Sequence, residues 1–245
     1  MKQSKIAGLI KLSGDPVAVL RAAGMPENCL HFDEDAKWGC VMPFLAAAAK
    51  GKTAAFSMQT TPCLGGKAGL GFCPLPEGLD FFLSTGGKGE GRMAEGEFYK
   101  RTPELARAYR LSMPSVVPSE VLVFKPLGEV AEGETPGSVI FLVNADQLSA
   151  LSGLAFYDNA DPDAVRVLFG AGCAQSVLFA LKEQESGGRS CFIGITDLSA
   201  RKFIDKDLLS FSMPYGRFLE MESAAEESFL TKETWQGVAK RIQTQ

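Results

Sequence analysis

A chain of 245 residues, 46% hydrophobic and 22% charged, has the composition of a folded globular protein and can bury a core without a metal or disulfide staple. Its net charge of −4 and singly scattered basic residues give no stripe to neutralise phosphates, which argues against nucleic acid as the main partner. The longest charge-free stretch, Val167–Leu181, has fifteen residues, fewer than a membrane span requires.

Near the N-terminus, Ile6–Ile10 is too short an apolar run for a secretory segment, so a cytoplasmic location is expected. Trp38–Ala49 is apolar nearly all round, with Pro43 tolerable in a first turn, and predicts a buried helix. Thr53–Met58 follows as a short strand. Ser84–Gly96, with five glycines, reads as a surface loop. Thr102, Pro103 and Glu104 supply a cap, a first-turn proline and a first-turn acid. They open a helix expected to pack through Leu105, Tyr109 and Met113 and to stop before Pro114.

Val121–Phe124 and Val139–Val143 are β-branched and apolar, as buried strands are. Asn144 with Gln147 is a capping signature for a helix reaching about Tyr157. Val165–Phe169 predicts a strand, Cys173–Leu181 a helix ended by Gly187 and Gly188, and Cys191–Ile195 a strand. A last helix, capped at Thr231, carries an apolar stripe of Trp235, Val238, Ala239 and Ile242. No stretch resembles an interdomain linker, so one mixed α/β domain over 1–245 is expected, with α+β as the variant.

Two segments are alike. Gly39 and Cys40 precede Leu45 as Gly172 and Cys173 precede Leu178, each opening an apolar helix that ends at glycine and leads into a strand. The similarity suggests two βα halves whose Gly-Cys turns face each other across a pseudo-twofold.

Few motifs survive inspection. Gly51, Lys52 and Thr53 mimic the tail of a phosphate-binding loop, but Ala46 stands where its first glycine belongs, and a helix leads into a strand. The lone histidine, His31, has no partner for a triad and sits in an alternation typical of a strand edge. Six cysteines in a chain of this kind suggest reduced thiols rather than a disulfide framework. Cys40 and Cys173 stand at helix starts, where free amides and the helix dipole favour a thiolate. Cys63 precedes Gly65, Gly66 and Lys67, a loop suited to close approach of a ligand. Cys191 lies on a strand and reads as core, although it is the sequence's one candidate for a fourth metal ligand.

Taken together, these pieces resemble the domain-of-unknown-function 169 family of archaea and bacteria. The likeness runs from about Asp15 to Ala225. It rests on Gly39 and Cys40, the Gly51-to-Thr53 turn, the glycine-rich run from Cys63 to Phe72, the Val139–Val143 strand, the Gly170-to-Cys173 turn and the Cys191–Gly194 strand. The resemblance implies a cytoplasmic α/β domain and carries over no catalytic residue.

The leading expectation is a protein that binds a small molecule or a metal, zinc or an iron–sulfur cluster, through Cys40, Cys63 and Cys173. In the alternative, an enzyme holds a small anionic substrate at the Cys63–Gly71 loop through Gly65, Gly66 and Lys67. A third reading is a protein-interaction module with structural cysteines. A membrane is not an expected partner, and the sequence leaves homo-oligomers open.

Overall fold

The computed structural model describes residues 4–242. Ser4 caps α1 (Lys5–Leu9) by accepting from the Ala7 amide, and β1 (Val17–Ala22) follows. Then come α2 (Met42–Ala48), β2 (Ala54–Ser57) and α3 (Leu64–Gly69). Pro43 does sit in the first turn of α2, but the helix begins only at Met42. Of the residues before it, Val41 is buried in the core, whereas Trp38 is 65% exposed.

Cys73–Ser115 forms a compact unit of its own. It holds α4 (Leu79–Phe82), α5 (Arg92–Glu95) and α6 (Pro103–Ser112). Thr102 caps α6 through the Leu105 amide, as its sequence signals. The buried face of α6 carries Ala106, whereas Leu105 is exposed. Inside this unit Arg110 donates to the buried Asp80 at 2.8 Å, and the Ser84 hydroxyl donates to the Asp80 carbonyl at 2.6 Å. The expected Ser84–Gly96 loop is closed by backbone bonds, Gly87 to Ala94 and Phe98 to Ser84.

The rest of the chain forms the other unit, built on one seven-stranded mixed sheet. It resumes with β3 (Val121–Pro126), β4 (Ser138–Val143), α7 (Ala145–Tyr157) and β5 (Val165–Val167). Asn144 and Gln147 form the reciprocal capping box of α7. A helix over 172–185 then has a π-helical turn, Ala174–Leu178, running into α8 (Phe179–Glu185). After it come β6 (Cys191–Gly194), α9 (Leu198–Arg201), β7 (Leu209–Pro214), α10 (Tyr215–Ala224) and α11 (Glu233–Ala239).

Strand order is β2-β3-β1-β4-β7-β6-β5, antiparallel throughout except for β5 on β6. The alternation of strand side chains builds two cores. Ala18, Leu20, Val139, Phe141 and Val143 join Leu151, Phe218 and Trp235 on one face. Val17, Val19, Ile140 and Leu142 meet Met42, Leu45, Cys173, Val177 and Ala200 on the other. The second face carries the chemistry described below.

Pairing registers repeat on either side of the central β1–β4 contact. The β1–β3 ladder runs from Val17↔Pro126 to Ala22↔Val121, and the β4–β7 ladder from Ser138↔Pro214 to Val143↔Leu209. Stepping outward, Ala54↔Phe124 has its counterpart in Phe192↔Ser212. A lone parallel bridge of Leu30 to Ala54 stands where Arg166 pairs in parallel with Phe192. Even the exits from β3 and β7 agree: Leu127 donates its amide to the Pro16 carbonyl at 2.8 Å and Tyr215 to that of Gly137 at 3.2 Å.

Candidate functional site

The glycine-rich segment after Cys63 is a helix, not the loop its composition suggests. Glycine is a poor helix former, and here it is retained for close packing. A Cβ on Gly69 would stand 2.3 Å from the Cys173 sulfur and 2.7 Å from the Ala174 nitrogen. One on Gly66 would crowd Cys63, Thr61 and Val41, each at 3.3 Å. Bare backbone therefore lets α3 press against the start of the 172–185 helix.

Cys63 is the N-cap of α3, its sulfur accepting from the Gly66 amide at 3.3 Å. The Lys67 amide bonds the Cys63 carbonyl at 2.8 Å. The amides of Gly66 and Lys67 are thus taken up within the helix. The Gly65 carbonyl accepts the Cys173 thiol at 3.2 Å, joining α3 to the second Gly-Cys turn.

The two Gly-Cys turns also meet. A Cβ on Gly172 would lie 2.6 Å from the Ala200 Cβ and 3.5 Å from the Met42 sulfur, in the first turn of α2. Cys40, two residues before Met42, is half-buried, as is Cys63, and Cys173 is buried. The electrostatic environment records their proximity. Burial first, then Cys63 and Cys40, and finally Asp197 push the Cys173 thiol well above its ordinary range. Cys40 is raised chiefly by burial, with Cys63 and Asp197 adding to it, while the Met42 amide and Lys202 oppose. The expectation that a helix start would depress these two pKa values is therefore wrong. Desolvation outweighs the dipole, and a carboxylate already occupies the helix start.

That carboxylate belongs to Asp197. Its Oδ2 accepts from the Gly172 amide at 3.0 Å, and its Oδ1 caps α9 through the Ser199 amide at 3.0 Å. Buried Gln175 fixes the approach: its Nε2 donates to the Leu168 carbonyl at 2.8 Å and to Thr196 Oγ1 at 2.7 Å, and its Oε1 accepts from the Thr196 amide at 2.9 Å. Ile195, which leads into this segment, has φ 59. A β-branched residue in that region is strained, by roughly 1–3 kcal/mol, and such strain gathers at functional sites. The π-helical turn beside it is another feature enriched at such sites.

On the solvent side Trp38 and Phe203 pair with ring centroids 5.9 Å apart. Lys202 Nζ lies 5.8 Å from the Trp38 ring and 5.1 Å from the Phe203 ring. On the buried side the Thr61 hydroxyl is fully enclosed and has no hydrogen-bond partner.

The remaining cysteines lie elsewhere. Cys191 is buried in the opposite core, its thiol pushed up to about 12 by burial, so it cannot be a fourth group here. Cys29 packs against that same core, and Cys73 lies in the 73–115 unit. No disulfide links any two of the six. Among the described residues no group of three or more His, Cys, Asp or Glu is arranged to hold a single metal ion, and no helix is long and apolar enough to cross a membrane.

A family model described as DUF169, uncharacterised ArCR, matches residues 5–224. The chain belongs to the DUF169 family. The match takes in both Gly-Cys turns, α3 and Asp197, so the whole constellation lies within the DUF169 region. No curated protein and no solved structure matches the chain. Sequence reasoning had named Cys40, Cys63 and Cys173 but missed Asp197, Gln175 and Thr61. Only tertiary structure brings these to the thiols.

Proposed function

We propose that this DUF169 protein binds a thiophilic centre, an iron–sulfur cluster in the first instance, through Cys40, Cys63 and Cys173. The observation that carries the reading is convergence. Three thiols from three separate stretches reach one place on one face of the sheet, where two helix starts meet. Two half-buried thiols and one buried one gather where alanine or valine would pack as well. Two residues before Cys63 the enclosed Thr61 hydroxyl has no partner, and orphaned buried polar groups call for one.

A cluster suits the site better than one zinc. Zinc draws its sulfurs onto a single tetrahedron at about 2.3 Å, and no such grouping is arranged here. A four-iron, four-sulfide cluster would take one cysteine on each iron, so its thiolates would stand further apart than the ligands of a single zinc. Ligation converts thiols to thiolates with release of their protons, and bonding to the metal then offsets the burial that raises Cys40 and Cys173.

The substrate reading draws less support. The amides of Gly66 and Lys67, which would have cradled an anion, already bond to Cys63.

Metal and acid-labile sulfide analysis of anaerobically purified protein tests the proposal. Iron and sulfide in near-equal amounts, lost in a C40S/C63S/C173S variant, support it. A colourless, metal-free protein that also fails to take up iron and sulfide overturns it.

A further inference from the structure

The geometry points to Asp197 as the fourth ligand of this centre, the counterpart of Cys63 in a site built two by two about a pseudo-twofold axis through the β1–β4 contact. The inference rests on the proposal of a thiol-ligated centre and supplies the group that the sequence could not.

The strand registers carry it. Exchanging β1 with β4 brings β3 onto β7 and β2 onto β6, with matching ladders and matching exit bonds. The same exchange relates the elements that hold the site. Gly39 and Cys40 precede α2, which leads into β2; Gly172 and Cys173 open the helix that leads into β6. After β2 the chain reaches Cys63, which caps α3 with its side chain. After β6 it reaches Asp197, which caps α9 in the same way. Cys40 pairs with Cys173, and Cys63 pairs with Asp197.

Local contacts agree with the pairing. Cys63 and α3 touch the second helix start through Gly65 and Gly69. Asp197 touches it through the Gly172 amide, and Ala200 of α9 lies against Gly172 beside Met42 of α2. All four groups therefore surround the junction of the two helix starts. Two further features favour a ligand there. The strained Ile195 turns the chain so that Asp197 faces back toward Gly172. Thr61, whose enclosed hydroxyl has no partner, packs its methyl near Gly66 and the Cys63 Cβ. Three thiolates and one carboxylate form a mixed ligand set in which the aspartate-bound iron is the exchangeable one, because a carboxylate holds iron less firmly than a thiolate does.

The test is anaerobic reconstitution of the full chain with ferrous iron, sulfide and a thiol reductant, followed by desalting and quantification of iron and sulfide. Asp197→Asn keeps one of the two acceptor oxygens, enough for the Ser199 amide that caps α9 but not also for the Gly172 amide on the other oxygen, so it should fold with an unchanged circular dichroism spectrum and a somewhat lowered melting temperature. It is expected to retain the cluster's iron about tenfold less tightly. Asp197→Cys should restore retention and slow the loss of colour in air. Cys191→Ser should load as the parent does. If D197N and D197C both load and retain iron like the parent while C40S, C63S and C173S do not, Asp197 is no ligand and the thiol centre stands. If the parent itself takes up no iron and sulfide, the thiol centre falls, and the fourth ligand with it.

Discussion

The Cys173 thiol donates to the Gly65 carbonyl at 3.2 Å, while Gly69, one turn further along the same short helix, leaves room for the sulfur itself. Two glycines thus seat a cysteine that lies more than a hundred residues away in sequence. This contact sets how close the halves of the site can come.

Gly69→Ala tests that seating. The added methyl would meet the Cys173 sulfur at 2.3 Å and the Ala174 nitrogen at 2.7 Å, and backbone cannot yield as a side-chain tip can. Overpacking of this kind costs about 1–3 kcal/mol. A lowered denaturant midpoint is expected, with Gly8→Ala as the control, since nothing lies within 4 Å of a Cβ there.

Gln147 serves two elements at once. It completes the capping box of α7 and donates to the carbonyls of Lys11, at 2.9 Å, and Ile10, at 3.3 Å. Gln147→Ala removes the capping box and leaves the buried Ile10 carbonyl without this partner, and should cost about 1–3 kcal/mol. Urea unfolding would measure it. A midpoint equal to the parent's would mean that the N-terminal segment is not held by this side chain.

Acid stability should depend on Asp158. Hydrogen bonds from the fully buried Arg217 hold its carboxyl below the usual carboxylate range, with the nearer contact at 2.5 Å. A depressed folded-state pKa contributes stability that is present above the unfolded value, about 3.9, and is lost as pH falls through the folded one. Unfolding free energy followed from pH 6 downward should therefore decline more steeply in the parent than in D158N. Parallel curves would show that this ion pair does not set the acid limb.

Thiol counting separates burial from bonding. With no disulfide present, denatured, metal-free protein should titrate six thiols. In the native protein Cys191, sealed in the core, should react last. A count below six in metal-free protein would contradict this.

Much of the architecture was legible in the sequence. The β-branched strands β3 and β4, the Thr102 cap and the Asn144–Gln147 box each carry a local signal that the fold obeys. Strand β7 has the apolar–polar alternation of a half-exposed strand, Leu209, Phe211 and Met213 against Ser210 and Ser212, yet both serines are buried, which the pattern does not foretell. Their hydroxyls are buried against the π-helical turn, Ser210 bonding Ser176 at 2.8 Å and Ser212 donating to the Gln175 carbonyl at 3.4 Å. Strand β1 is a short apolar run whose partners lie a hundred residues on. Within the site the two Gly-Cys turns could be recognised because they resemble each other. Asp197 could not, because its counterpart is a cysteine and a cap on a four-residue helix looks like any other turn. The glycines of α3 misled for the opposite reason: their composition signals a loop, and only Cys173 explains why a helix needs them.

The most direct measurement is cysteine footprinting by alkylation and mass spectrometry, before and after anaerobic loading with iron and sulfide. Cys29, Cys40, Cys63 and Cys73 are half-buried, and each is expected to label in the unloaded protein. Loading should protect Cys40 and Cys63 selectively, with Cys173 protected in both states by burial, and should leave Cys29 and Cys73 as reactive as before. Equal labelling of Cys40 and Cys63 in protein that has demonstrably taken up iron and sulfide would contradict the account.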